Sequence, residues 1–183
     1  MDWDVFEKLM AGCLSCGLAS GRTNVVLGRG SRKEGCILFV GEGPGENEDR
    51  EGLPFVGQAG RLLDLALSAL EFPAEDYYVA NVVKCRPPQN REPSADEVKA
   101  CLPFLRQQFV LLKPRIVVAL GSVALKALID PDARITARRG KWVQKGNTLF
   151  TATYHPAALL RDESKKLDFY NDLRSVRTEF YGK

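Results

Sequence analysis

Cys36-Ile37-Leu38-Phe39-Val40, running directly into Gly41-Glu42-Gly43-Pro44-Gly45, is the stretch that decides the fold. Five apolar residues without polar alternation form a strand buried on both faces, and Gly41 ends it. Strands of this kind belong to parallel sheets covered by helices. Working outward, Gln58 to Leu70 carries apolar residues at helical spacing. Tyr77-Tyr78-Val79-Ala80-Asn81-Val82-Val83 is a second strand. Ser94 is an N-cap with Glu97 as its capping-box partner, and the helix they start runs to about Leu112, where Lys113-Pro114 stops it. Arg115 to Leu120 is a third strand, followed by Gly121 and a short helix to Ile129. Trp142-Val143, Lys145-Gly146-Asn147 and Leu149 to Tyr154 predict a hairpin leading into a final core strand. Leu167 to Phe180 is a closing helix. Alternating strands and helices give an α/β fold with a mostly parallel sheet covered on both faces. In such sheets ligands bind beyond the carboxyl ends of the strands. Gly41 to Gly45, Asn81 and His155-Pro156 all fall there, so three polar elements distant in sequence are expected to converge on one mouth.

The 183 residues suit one domain, 1–183, and no repeat, linker or low-complexity tract divides them. No apolar run is long enough to span a bilayer, and the acidic start Met1-Asp2-Trp3-Asp4 lacks the basic and apolar regions of a signal peptide. A cytoplasmic location and no membrane partner are therefore expected. Lys and Arg number 26 against 23 Asp and Glu. The net charge of +3 is too mild to establish a nucleic-acid partner, so the placement of the charges has to carry that argument.

Five cysteines in a reducing compartment are ligands, catalysts or small core residues before they are disulfides. Cys13-Leu14-Ser15-Cys16 is a C-x2-C pair, Cys85 follows the second strand and Cys101 lies in the next helix. Four thiolates can hold zinc or an iron–sulfur cluster, and spacing does not choose between them. Cys36 begins a buried strand and is taken as a core residue.

Three blocks carry a family resemblance: GEGPGENEDREGLPFVGQAG at 41–60, NVVKCRPPQNREP at 81–93 and HPAALLR at 155–161. With Cys13, Cys16, Cys85 and Cys101 interleaved, they resemble the family 4 uracil-DNA glycosylases over nearly the whole chain. The resemblance implies a three-layer α/β sandwich with a central four-stranded, mostly parallel sheet. It implies a structural [4Fe-4S] cluster on those four cysteines, and uracil-containing DNA, single- or double-stranded, as substrate. A monomer is expected. The implied activity is hydrolysis of the N-glycosidic bond of a flipped uracil in base excision repair, leaving an abasic site.

That chemistry needs the departing base stabilised as an anion and a cationic sugar met by water. Gly41 and Gly43 let backbone N–H groups approach the base. Glu42 is the first candidate for holding the water, since Gly43 stands where the related family 1 motif has aspartate. Asn90 is the second. Phe55 aligns with the residue that stacks on uracil, Asn81 with the one reading its Watson–Crick edge, and Glu48 with the one that crowds C5 against thymine. An amide pairs with uracil O4 and N3–H together, which cytosine cannot match in the same orientation. His155, the only histidine, would donate to uracil O2 as charge builds there. Lys84, Arg86 and Arg91 lie in a basic loop suited to phosphate, as does Arg161. Of Leu159 and Leu160, one is expected to wedge into the gap left by the flipped nucleotide and the other to face the core.

Related covalent uracil binders carry a histidine in the loop after the second strand; here Lys84 to Arg91 contains none. A catalytically silent iron–sulfur DNA-binding module would not need Glu42, Asn81 and His155 together. A nucleotide-binding enzyme is disfavoured by the absence of a Walker lysine or a dinucleotide fingerprint.

Overall fold

The computed structural model describes residues 1–182; Lys183, the last residue of the expected 1–183 domain, lies outside the described residues. The strands are β1 (Arg29–Gly30), β2 (Ile37–Gly41), β3 (Tyr77–Asn81), β4 (Ile116–Leu120), β5 (Val143–Lys145) and β6 (Thr148–Thr153). They form one sheet in the order β1-β3-β2-β4-β6-β5. The expected four-stranded, mostly parallel sheet is thereby corrected to a six-stranded mixed one. The inner strands β3, β2, β4 and β6 run parallel, while β1 and β5 pair antiparallel at the two edges. β5 is the first arm of the hairpin that the sequence indicates, left out of the four-strand count, whereas β1 has two residues, too few for a period-2 pattern to register. Short edge strands also limit unwanted pairing with other chains.

Among the described residues eight α-helices accompany the sheet: α1 (Trp3–Ala11), α2 (Glu46–Glu51), α3 (Gln58–Ala69), α4 (Ala95–Leu112), α5 (Ser122–Leu128), α6 (Ile135–Arg138), α7 (Pro156–Arg161) and α8 (Lys166–Tyr181). Alternation along β2 explains the layers, because successive side chains point to opposite faces. Leu38 and Val40 pack with Leu105 and Leu112 of α4 and Leu125 of α5. Ile37 and Phe39 pack with Leu63 and Leu67 of α3 and Phe169 and Leu173 of α8. The start of α4 is set as its sequence requires: Ser94 Oγ accepts from Glu97 N–H, and Glu97 accepts from Ser94 N–H. Among the described residues no helix is long and apolar enough to cross a membrane.

The strand order positions the site. β2 is followed by β3 on one side, and the chain then crosses to β4 on the other. The connections diverge at the carboxyl end of β2, the place where parallel sheets open a crevice. Backbone pairing also continues past the end of β3. Val82 N–H donates to Gly41 O at 2.9 Å and Val83 N–H to Glu42 O at 3.1 Å, so the second expected block is laced to the first.

Candidate active site

A cavity of about 730 Å³ opens at the carboxyl ends of the inner strands. Glu42, Gly43, Glu48, Asn90, Arg91, His155 and Arg161 line it, drawn from all three blocks. Asn81 and Phe55 do not line it themselves; they pack against Gly41, the residue before the lining Glu42. A Cβ added to Gly41 would come within 2.5 Å of both Asn81 Oδ1 and Phe55 Cζ, so only glycine lets these two side chains meet there. Phe55 stacks on His155 with ring centroids 5.6 Å apart and planes inclined by 26°.

Asn81 ends β3 and is buried. Its Oδ1 has no hydrogen-bond partner among the described residues. Buried amide oxygens are nearly always satisfied, so an orphan against Gly41, the neighbour of the cavity-lining Glu42, marks a position that a ligand can complete.

His155 caps α7: its Nδ1 accepts from Ala157 N–H at 3.1 Å. That bond assigns the ring proton of the neutral imidazole to Nε2. Burial, with the nearby Arg161 cation adding to it, pushes the imidazole down to about 4. The ring is therefore neutral at pH 7 and can still donate from Nε2. Glu42 is half-buried, and burial, followed by repulsion from Glu92, holds its carboxyl above the usual range while Arg161 opposes the shift.

Phe55 adopts a left-handed backbone (φ 57), and two features hold it there. Glu48 accepts from three backbone N–H groups: Val56 at 2.9 Å, Gly57 at 2.8 Å and Gly45 at 3.1 Å. The Phe55 carbonyl also lies 1.8 Å from where a Cβ on Gly60 would stand, so α3 enters flush against the turn. Both oxygens of Glu48 are committed to this clamp.

The basic loop divides. Arg86 donates from Nε to Asn90 Oδ1 at 2.8 Å and approaches Glu46 at 3.4 Å. Arg91 forms two hydrogen bonds with Glu97, at 2.7 and 2.8 Å, and holds that carboxyl down to about 2. Lys84 corrects the sequence expectation. It is 0% exposed and turned inward, where burial pushes its ammonium down to about 8, so it is not a surface phosphate contact. Of the two leucines expected to divide between core and wedge, Leu159 is sealed in the core and so is not a DNA contact, while Leu160 is 48% exposed. The i, i+1 spacing puts the two on different faces of α7, and only the core decides which face is inner.

Cys13, Cys16, Cys85 and Cys101 line one void together with Arg22 and Phe104. Arg22 Nη1 donates to Cys85 Sγ at 3.4 Å, and the Lys84 backbone N–H donates to Cys101 Sγ at 3.3 Å. Among the described residues, no three or more His, Cys, Asp or Glu side chains converge closely enough to hold a single metal ion. Cys36 does not line the void.

The sequence reading did not single out Gly121, whose added Cβ would lie 2.8 Å from His155 Cβ. The Leu120-Gly121-Ser122 strand-to-helix turn was the available signal, but its contact with His155 crosses 34 residues and is invisible locally. Arg22, beside Cys85, was missed for the same reason.

Residues 27–174 match the model of the Uracil DNA glycosylase superfamily. The chain is 44% identical over 181 residues to the type-4 uracil-DNA glycosylase of Pyrobaculum aerophilum, covering 94% of this chain and 92% of that protein. It is 44% identical over 168 residues to the type-4 enzyme of Thermotoga maritima (90% and 86% covered) and 37% identical over 183 residues to that of Archaeoglobus fulgidus (94% and 90% covered). With identity of this order sustained through nearly the whole of each aligned pair, the chain belongs to the type-4 uracil-DNA glycosylases of that superfamily.

Proposed function

We propose a division of labour for this uracil-DNA glycosylase, a hydrolase of base excision repair that removes uracil from DNA and leaves an abasic site. The flipped uracil enters the cavity over Gly41, with Phe55 as its apolar platform. Asn81 reads its edge, the amide oxygen accepting from N3–H and the amide nitrogen donating to O4. The observation that carries this assignment is the orphaned, buried Asn81 Oδ1 against Gly41, next to the cavity-lining Glu42. His155 donates from Nε2 to O2, where negative charge grows as the C1′–N1 bond breaks and its electron pair passes to the base. Glu42 holds the water whose oxygen bonds to C1′. The water's released proton passes to the carboxylate and then to solvent or the departing base. Asn90 supports that water. Glu48 acts through the Phe55 turn, with any role at the C5 edge secondary to that clamp.

Arg86, Arg91 and Arg161 are the phosphate contacts in this reading, and Leu160 is the wedge. The four cysteines hold the [4Fe-4S] cluster implied by the family. Four sulfur donors around one void suit a cluster, which spreads its ligands farther apart than a single ion does. When bound, the cluster supplies a structural tie between the segment bearing Cys13 and Cys16 and the segment from Cys85 to Cys101. The protein works as one domain and one chain in the cytoplasm.

The test is Asn81→Asp, assayed for base release on duplexes carrying uracil or cytosine. A carboxylate accepts from the cytosine amino group where the amide donated to O4, so discrimination should erode. A variant that stays fast on uracil and still ignores cytosine removes Asn81 as the reader.

A further inference from the structure

Lys84 is a buried charge that the reaction does not use. Its Nζ donates to the backbone carbonyl of Asn81 at 2.7 Å and to Gln108 Oε1 at 2.6 Å. Gln108, on α4 and equally sealed, donates in turn to the carbonyl of Leu27 at 2.9 Å. The Lys84 backbone N–H donates to Cys101 Sγ at 3.3 Å. One residue thus touches the base-reading end of β3, the cysteine site and the scaffold of α4.

Stability alone does not account for it. A buried ammonium is costly, and a buried polar pair is often no more stabilising than apolar side chains of similar volume in place of both partners. We propose that Lys84 is a positioning residue: its ammonium holds the Asn81 carbonyl against α4, fixing how the Asn81 amide faces the base. The inference rests on the reading of Asn81 given above.

The experiment uses the full chain with Lys84→Met. Iron and sulfide content and affinity for undamaged duplex should match the parent, while the thermal midpoint should fall, because the Asn81 carbonyl and Gln108 Oε1 lose their donor. Assayed well below both midpoints, single-turnover uracil release should still fall roughly 10-fold or more, the scale of losses from groups that orient a working residue. Unchanged release overturns the proposal, as does a loss that disappears when both proteins are assayed well below their midpoints. Should Lys84→Met lose its iron or fail to fold, Gln108→Leu carries the test. It keeps the ammonium but deletes one of its acceptors, so release should fall in the same direction by less; parental release there overturns the proposal. Asn81→Asp, run in parallel, separates the levels. If it keeps full discrimination, the reader assignment fails and the positioning role falls with it. If it loses discrimination while Lys84→Met does nothing, only the Lys84 inference fails.

Discussion

At the residue scale the two reacting side chains differ in what acid does to them. His155 is neutral down to about 4 because burial and Arg161 disfavour its cation. A hydrogen bond that strengthens as charge builds on O2 lowers the barrier more than it tightens binding. His155→Ala should slow single-turnover release on the order of 10²–10³-fold while weakening binding to uracil duplex only modestly. Near-parental rates would make His155 structural, and a loss confined to binding would make it a recognition residue. The sign of its pH effect follows from its depressed value: between about 4 and 6.5 the unfolded chain takes up a proton that the native ring refuses. Its contribution to stability is therefore complete above 6.5 and lost as pH falls through that window towards 4. Unfolding measured against pH should be flatter there in His155→Ala. Glu42 behaves oppositely in chemistry. Its carboxyl is raised by burial, so release should decline on acidification at a higher pH than an ordinary carboxylate gives. That limb should vanish in Glu42→Gln, which should be slow at every pH; a limb that persists assigns the titration to another group.

At the element scale the decisive unit is the strained turn between α2 and α3. Three backbone N–H groups converge on Glu48 and leave Phe55 in a left-handed conformation under His155. Glu48→Ala strands those donors, and each group left unsatisfied costs about 1–3 kcal/mol where water cannot reach it. We expect a lower thermal midpoint and slower release together, with Gly60→Ala more severe because its Cβ would meet the Phe55 carbonyl at 1.8 Å. A Glu48→Ala protein with parental stability and release would show that the clamp is dispensable. Legibility varied sharply at this scale. The start of α4 could be read from Ser94 and Glu97, because a capping box is a contact between residues three apart. The clamp could not, because Glu48 works through backbone atoms eight and nine residues away whose side chains carry no sign of it. β1 escaped because Arg29-Gly30 is a strand only by virtue of Val79 and Tyr78 beside it.

At the scale of the whole molecule, the four cysteines bring a segment near the amino end beside the loop that bears Arg86 and Arg91. If they hold an iron–sulfur cluster, the protein should contain iron and acid-labile sulfide with little zinc. Zinc at about one per chain without sulfide would refute it. Cys85→Ser should lower stability and DNA affinity together, because one tie positions the basic loop, whereas Cys36→Ala should leave the iron content unchanged. An iron-free Cys85→Ser protein with parental DNA affinity would separate the cysteine site from DNA binding.

The sequence by itself determined the alternation of strand and helix, the buried parallel strands, the end of the sheet where function gathers, and which four cysteines belong together. Those properties are written in local periodicity, in capping, and in blocks of residues whose chemistry is dense over short stretches. Tertiary structure alone decided the β1 edge of the sheet, which of Leu159 and Leu160 faces outward, and that Lys84 points inward to Asn81 and Gln108 instead of outward to phosphate. In sequence Lys84 stands among Arg86 and Arg91 and looks like them. It differs only because β3 delivers it beneath α4, where its reach ends on a carbonyl and an amide oxygen. A side chain's charge is a property of the residue, but whether that charge meets water, DNA or the protein's own backbone depends on what the rest of the chain packs around it.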